Sequence, residues 1–176
     1  IGLPLPMLAD TGYSYTGNYF DTLQDGIGGT TPYTTSDRVT GSFLVSSPLG
    51  DNFNGTVTPT GYSFSDGVNT DDPTDSGIVD FAITTDATGE ITSWNINVGS
   101  GPAFGSSFLE FYSITSDSIT GDSASDFLGG GASNTSPGTW SNPYYVAATP
   151  EPGSIALLGT GLLGLAGMVR RKIRLS

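Results

Sequence analysis

An antiparallel β-sandwich, jelly-roll-like or opened into a barrel, with a single C-terminal transmembrane helix behind it is the fold class that this 176-residue sequence predicts. Three observations carry that expectation. Short runs that alternate apolar and polar residues, separated by clusters of Gly, Ser, Thr, Asn and Asp, recur along residues 10–149 at the period of β-structure. Long stretches of helix formers are absent before Pro150. Behind Pro150 stand 17 residues without a charge, 153–169, and then Arg170, Arg171, Lys172 and Arg174, four of the five basic residues in the chain.

Residues 1–9 are apolar, interrupted by proline, and end in Met7-Leu8-Ala9 before Asp10. They read as the remnant of a secretory signal peptide with Ala9 at the cleavage position, or as an ordinary leader. Residues 10–149 form the β-sandwich body. Tyr13, Tyr15 and Tyr19 suggest an early strand, and further strands are expected over 38–46, 58–65, 78–85, 90–98 and 108–114. In 90–98, Trp94, Ile96 and Val98 alternate with Ser93, Asn95 and Asn97, the pattern of a half-buried strand. Asp86-Ala87-Thr88-Gly89 has the chemistry of a four-residue hairpin loop, with Gly at the positive-φ position. Residues 144–147 predict a late strand, and the Gly/Ser/Asn-rich stretches 69–77 and 121–138 read as long loops.

Composition excludes much chemistry. Of the 17 acidic residues only Glu151 lies outside the body, and of the five basic ones only Arg38 lies inside it, so the body carries a net charge of 1 − 16 = −15. Such a surface has no basic patch to displace phosphate counterions, which argues against nucleic acid as a partner. The chain has no Cys and no His, so it has no Ser/His/Asp triad, no thiol nucleophile and no zinc ligand set. Lys172, the single Lys, stands in the tail, which removes lysine-based covalent catalysis from the body. An enzyme is therefore not expected. A glycosidase built on two facing carboxylates is the remaining catalytic option, with no pair singled out by the sequence.

Two binding sites are candidates. Asp66, Asn69, Asp71, Asp72 and Asp75 cluster on a Gly- and Pro-containing turn, and hard oxygen donors are what Ca²⁺ requires. The spacing is not that of an EF-hand, because Pro73 takes a ligand-like place and no Glu closes the loop; a solvated acidic loop is the plain alternative. Trp140, in loop-like sequence, and Tyr144 and Tyr145 just behind it could present rings to a sugar face, with core packing as the alternative. Arg38, the one cation of the body, is expected to pair with a neighbouring or cross-strand carboxylate.

The tail, 150–176, has its own logic. At 1.5 Å per residue the uncharged stretch 153–169 would span roughly 25 Å as a helix, slightly less than the hydrocarbon layer of a bilayer. Ile155, Leu157, Leu158, Leu162, Leu163, Leu165 and Val169 would cover every face of that helix, leaving no polar stripe for water. The basic segment 170–174 would then stop transfer, with Arg170, Arg171, Lys172 and Arg174 reaching for the phosphate level. Pro150, Glu151 and Pro152 precede it; two prolines fix φ and keep the junction extended.

In that order, Pro-Glu-Pro, apolar helix and Arg-rich end, the segment 150–174 resembles a PEP-CTERM sorting signal. The resemblance implies that Pro150, Glu151 and Pro152 are recognised by an exosortase, a transpeptidase-like membrane enzyme of Gram-negative-type bacteria that make extracellular polysaccharide. It implies an exported protein, in transit through the inner membrane and then placed at the cell surface or in the extracellular matrix. Residues 13–64, with Tyr-Thr-Gly-Asn-Tyr-Phe at 15–20, also look like the bodies of other bacterial proteins with such tails, and that likeness brings no activity with it. The function expected from all this is structural or adhesive, with extracellular polysaccharide as a partner; a carbohydrate- or calcium-binding module is the second reading and the acid-pair glycosidase the third.

Overall fold

The computed structural model describes residues 9–75, 77–100, 113–126, 128–141 and 143–146. The chain divides into two units, Ile1–Val146 and Ala147–Ser176, and all of the second lies outside the described residues, as do residues 1–8 of the expected leader 1–9 and the expected transmembrane helix 153–169. The described residues contain strands and no helix. In chain order they are β1 (Asp10–Tyr19), β2 (Thr22–Gln24), β3 (Arg38–Val45), β4 (Asn54–Thr56), β5 (Gly61–Ser65), β6 (Thr70–Asp71) and β7 (Gly77–Thr85). They continue with β8 (Ile91–Ser100), β9 (Ser113–Asp117), β10 (Gly121–Ser125), β11 (Gly131–Ser133), β12 (Thr139–Trp140) and β13 (Tyr144–Val146).

Every pairing is antiparallel. One sheet has the order β12-β1-β3-β5-β6, with β13 pairing the other end of β1; the second runs β2-β11-β10-β9-β8-β7-β4. Alternation decides which residues fill the space between them. The first sheet turns in Tyr13, Tyr15, Val39, Phe43, Val45 and Phe64, and the second Phe81, Ile83, Trp94, Ile96, Val98 and Ile114. Within the first sheet Tyr13 stacks on Phe43, its register partner, at 5.1 Å, and across the gap Phe81 meets Phe43 at 5.5 Å and Phe64 at 5.8 Å, edge to face. Gly41 makes room for this, because a Cβ there would fall 2.3 Å from Cδ1 of Phe64, its cross-strand neighbour.

The hairpin between β7 and β8 forms as its sequence predicts. The Asp86 carboxylate accepts from the Thr88 N–H, the Thr88 hydroxyl and the Glu90 N–H, and Gly89 takes φ +80°. Those hydrogen bonds, the Thr88 hydroxyl first, hold the Asp86 carboxyl below its ordinary value. Other elements differ from expectation. The stretch 121–138 is not one loop, since it holds β10 and β11. Their inward residues Asp122, Ala124 and Ala132, and Asn134 just beyond β11, are small or polar, so no apolar alternation marks them. The stretch 69–77 likewise contains the short strand β6 and the start of β7. The strand expected over 58–65 begins only at Gly61, beyond Pro59, which has no N–H to offer a ladder. Of the strand expected over 108–114, residues 108–112 lie outside the described residues, and the described strand β9 continues it from Ser113 to Asp117. Arg38 has no carboxylate partner among the described residues; its guanidinium lies 4.8 Å from the ring centre of Tyr19, its register partner on β1.

Candidate functional site

Three places hold the residues that the sequence singles out. The first is the edge of the sandwich where β12 and β13 join β1. The loop before β12 is fastened to β1: Asn18 donates its amide to the Ser136 and Pro137 carbonyls, and the Gly138 N–H donates to the Tyr15 hydroxyl at 2.7 Å. Trp140 pairs with Tyr15 and therefore faces inward, against Tyr15 at 5.1 Å, Phe43 at 5.5 Å and Trp94 at 5.9 Å. Its Nε1 is buried without a hydrogen-bond partner among the described residues, whereas the Trp94 Nε1 donates to the Ser116 hydroxyl at 2.9 Å. A cleft of about 260 Å³ opens beside Trp140, lined by Tyr13, Glu90, Ile91, Trp94 and Ser141 among others.

The expected three-ring platform does not form at this edge. Tyr144 pairs with Gly12, an outward position, and lies over it so closely that a Cβ at Gly12 would fall 2.3 Å from the Tyr144 Cζ. Trp140, in register with inward Tyr15, is on the opposite face. Tyr145 pairs with Thr11 and is 73% exposed. Strand parity, set by a register with β1 that the sequence does not display, puts Tyr144 on the face opposite Trp140, while Tyr145, paired with inward Thr11, stands exposed on β13.

The second place is the acidic turn. Asp66 and Asp71 are buried, and each carboxylate is committed to the fold. Asp66 accepts from the Val68 and Asn69 N–H groups at 2.8 and 2.6 Å and from the Tyr33 hydroxyl at 2.9 Å. Asn69 turns its amide back to the Tyr33 hydroxyl and to Asp66. Asp71 accepts from Tyr62, whose hydroxyl is pushed up to about 12 by burial and by Asp71 itself. Asp72 accepts from the Thr74 hydroxyl and N–H, which hold its carboxyl below the ordinary value, and Asp75 accepts from the Asp72 N–H. The five residues expected as a calcium cage are thus turn fasteners. Among the described residues no group of three or more His, Cys, Asp or Glu side chains is placed to hold a metal ion.

The third place carries a residue that the sequence did not flag. Asp122, 1% exposed, projects from β10 into the gap between the sheets. It accepts from the Tyr15 hydroxyl at 2.7 Å and from the Asn134 amide at 3.4 Å, and its own N–H donates to the Asn134 Oδ1. Gly17 yields the space, since a Cβ there would lie 2.2 Å from Asp122 Oδ2. Burial lifts the Asp122 carboxyl above its ordinary value, opposed by the hydrogen bonds from Tyr15, Ser116 and Asn134. Burial also pushes the Tyr15 hydroxyl up. The arrangement is a polar pin joining the two sheets, and a lone Asp in a Ser-rich stretch gives no sequence signal of it.

The comparison that bears on function falls on the tail. Residues 148–172 match the PEP-CTERM protein-sorting motif. The chain carries an exosortase sorting signal. The match takes in Pro150, Glu151, Pro152, the uncharged stretch 153–169 and Arg170, Arg171 and Lys172, with Arg174 just beyond it. Such a motif marks an exported protein that is processed by exosortase, a membrane enzyme, on its way to the cell surface or extracellular space. Comparison with curated proteins and with solved structures found no match.

Proposed function

We propose that this is a structural or adhesive protein of the surface or extracellular matrix of a Gram-negative-type bacterium, held in the inner membrane by 153–169 and the basic segment behind it until exosortase acts at Pro150, Glu151 and Pro152. The observation that carries the reading is the sorting motif joined to an all-β body. The use of the body's buried carboxylates supports it: Asp66, Asp71 and Asp122 are all engaged in holding the fold, in hydrogen bonds with Tyr33, Tyr62 and Tyr15. In this reading the body works without a cofactor and without catalysis. The test replaces Pro150, Glu151 and Pro152 together by alanine in the producing cells. The triple variant is expected to stay in the membrane fraction at full mass while the parent chain reaches the outside; release of the variant at the parental rate would refute the reading.

A second reading is favoured by one observation, the cleft beside Trp140. Half-buried indole, the hydroxyl of Ser141 and a single carboxylate, Glu90, suit a small sugar better than a hydrolytic site, which would need two carboxyls across the groove. Oligosaccharide titration followed by tryptophan fluorescence tests it, with quenching expected in the parent chain and lost in Trp140→Ala; an unchanged spectrum refutes it.

A further inference from the structure

The outer face of the second sheet presents a wall of hydroxyls and amides. Register places Thr22, Ser133, Ser123, Thr115 and Asn97 side by side across β2, β11, β10, β9 and β8. One step along the strands, Gln24, Gly131, Ser125 and Ser113 form a second row. Strands about 4.8 Å apart set the hydroxyls of a row at close to the length of one pyranose ring. Gly131, without a side chain, leaves a trough in the second row, and that row together with Thr22, Ser133 and Ser123 of the first lines a groove of about 260 Å³.

Two further features give this face a direction. The body has a net charge of −15, yet among the described residues no carboxylate lines the groove. An uncharged, acceptor- and donor-rich floor complements a neutral, hydroxyl-rich chain and offers nothing to a charged one. At one end Gly129 and Gly130 border the groove, in the loop that also carries Leu128; Ile27 donates its N–H to the Leu128 carbonyl. Ile27 and Leu128 are 79% and 47% exposed, apolar side chains standing free beside a polar floor. A sugar ring has that same division, C–H faces and hydroxyl edges, so floor and rim would meet one ligand. Ser123, Ser125, Ser133 and Gln24 are not tied into side-chain hydrogen bonds among the described residues, and so keep their donors for a partner.

We propose that this groove binds a neutral polysaccharide chain. The proposal deepens the matrix reading by naming the partner class and the surface, and rests on it only for the place of encounter. Single hydroxyl contacts exchanged against water are weak, so binding is expected from repeated rings along one chain and from many protein copies along one polymer. The test is native gel electrophoresis of the full chain in a nonionic detergent, with hydroxyethylcellulose, dextran or alginate cast into the gel. The parent chain is expected to be retarded by at least one of the two neutral polymers and not by anionic alginate. Ser123→Glu with Ser125→Glu, two exposed positions, is expected to weaken that retardation roughly tenfold by setting charge against the polymer, at an unchanged melting temperature. No retardation by either neutral polymer would overturn the proposal, as would equal retardation of parent and double variant, or self-association through Ile27 and Leu128 that polymer does not compete. The mass of the mature C-terminus is a separate readout, so failure of the groove and failure of the sorting reading are distinguishable.

Discussion

Tyr15→Phe is the substitution that most sharply probes how this body is held together. The change removes one oxygen from a ring that is 2% exposed, and that oxygen makes two hydrogen bonds: it donates to Asp122 Oδ1 at 2.7 Å, fully buried, and accepts from the half-buried Gly138 N–H at 2.7 Å. Phe keeps the ring contacts with Trp94 at 5.6 Å and Trp140 at 5.1 Å, so the loss isolates the polar pin. Leaving a buried donor or acceptor unsatisfied costs about 1–3 kcal/mol each. Asp122 keeps the Asn134 amide, which places the total at about 3 kcal/mol, a large share of the ~5–15 kcal/mol that a domain commonly has. Urea unfolding followed by tryptophan fluorescence reads it directly, because both indoles pack on Tyr15. A double-mutant cycle with Asp122→Asn should show coupling of about 1 kcal/mol or more. A loss below about 0.5 kcal/mol, or no coupling, would refute the reasoning and return Asp122 to an incidental buried acid.

The remaining predictions concern packing and pH. Gly41→Ala sets a Cβ within 2.3 Å of the Phe64 ring and should cost about 1–3 kcal/mol, whereas Gly50→Ala, with open space around it, should stay within about 0.5 kcal/mol; equal effects in thermal melts would contradict the packing at β3 and β5. Because burial raises the Asp122 carboxyl in the folded chain, the fold binds that proton more tightly than the unfolded chain does. The stability it contributes is complete below the unfolded carboxyl value of about 3.9 and is lost as pH rises through the folded value. The stability of the parent relative to Asp122→Asn should therefore fall as pH rises above about 4 in urea titrations, and a difference that is flat or rises with pH would show that the hydrogen bonds, not burial, govern the site. Raising the pH through about 12 should ionise Tyr62 beside Asp71 and destabilise the β5–β6 end, visible as a late tyrosinate absorbance step that the parent shows and Tyr62→Phe lacks; a parent-minus-variant step near the ordinary tyrosine value of about 10 would contradict that contact.

What could be read in the sequence was the part written in strong side-chain contrast. Trp94, Ile96 and Val98 alternate with polar neighbours, and Asp86 to Gly89 is turn chemistry in a row, so β8 and its hairpin were legible. β10 and β11 were not, because their inward positions are Asp122, Ala124 and Ala132, with Asn134 just beyond β11, and a strand that buries small or polar side chains has the composition of a loop. The acidic turn looked like a cage because composition gives the donors and not their direction; Asp66 and Asp72 spend theirs on N–H groups two or three residues ahead. The rings at 140, 144 and 145 looked like a platform because strand parity depends on a register with β1, more than a hundred residues away in the chain. The sorting motif was legible in full, since its physics is one-dimensional: a rigid Pro-Glu-Pro, an uncharged span and a basic stop, in order.

Mass spectrometry of the protein recovered from the outer fraction of the producing cells asks most directly whether the tail is a discarded address. Export through exosortase predicts a mature chain that has lost residues 153–176 and ends at or beside Pro150, Glu151 and Pro152. An intact chain ending at Ser176 in that fraction would contradict it.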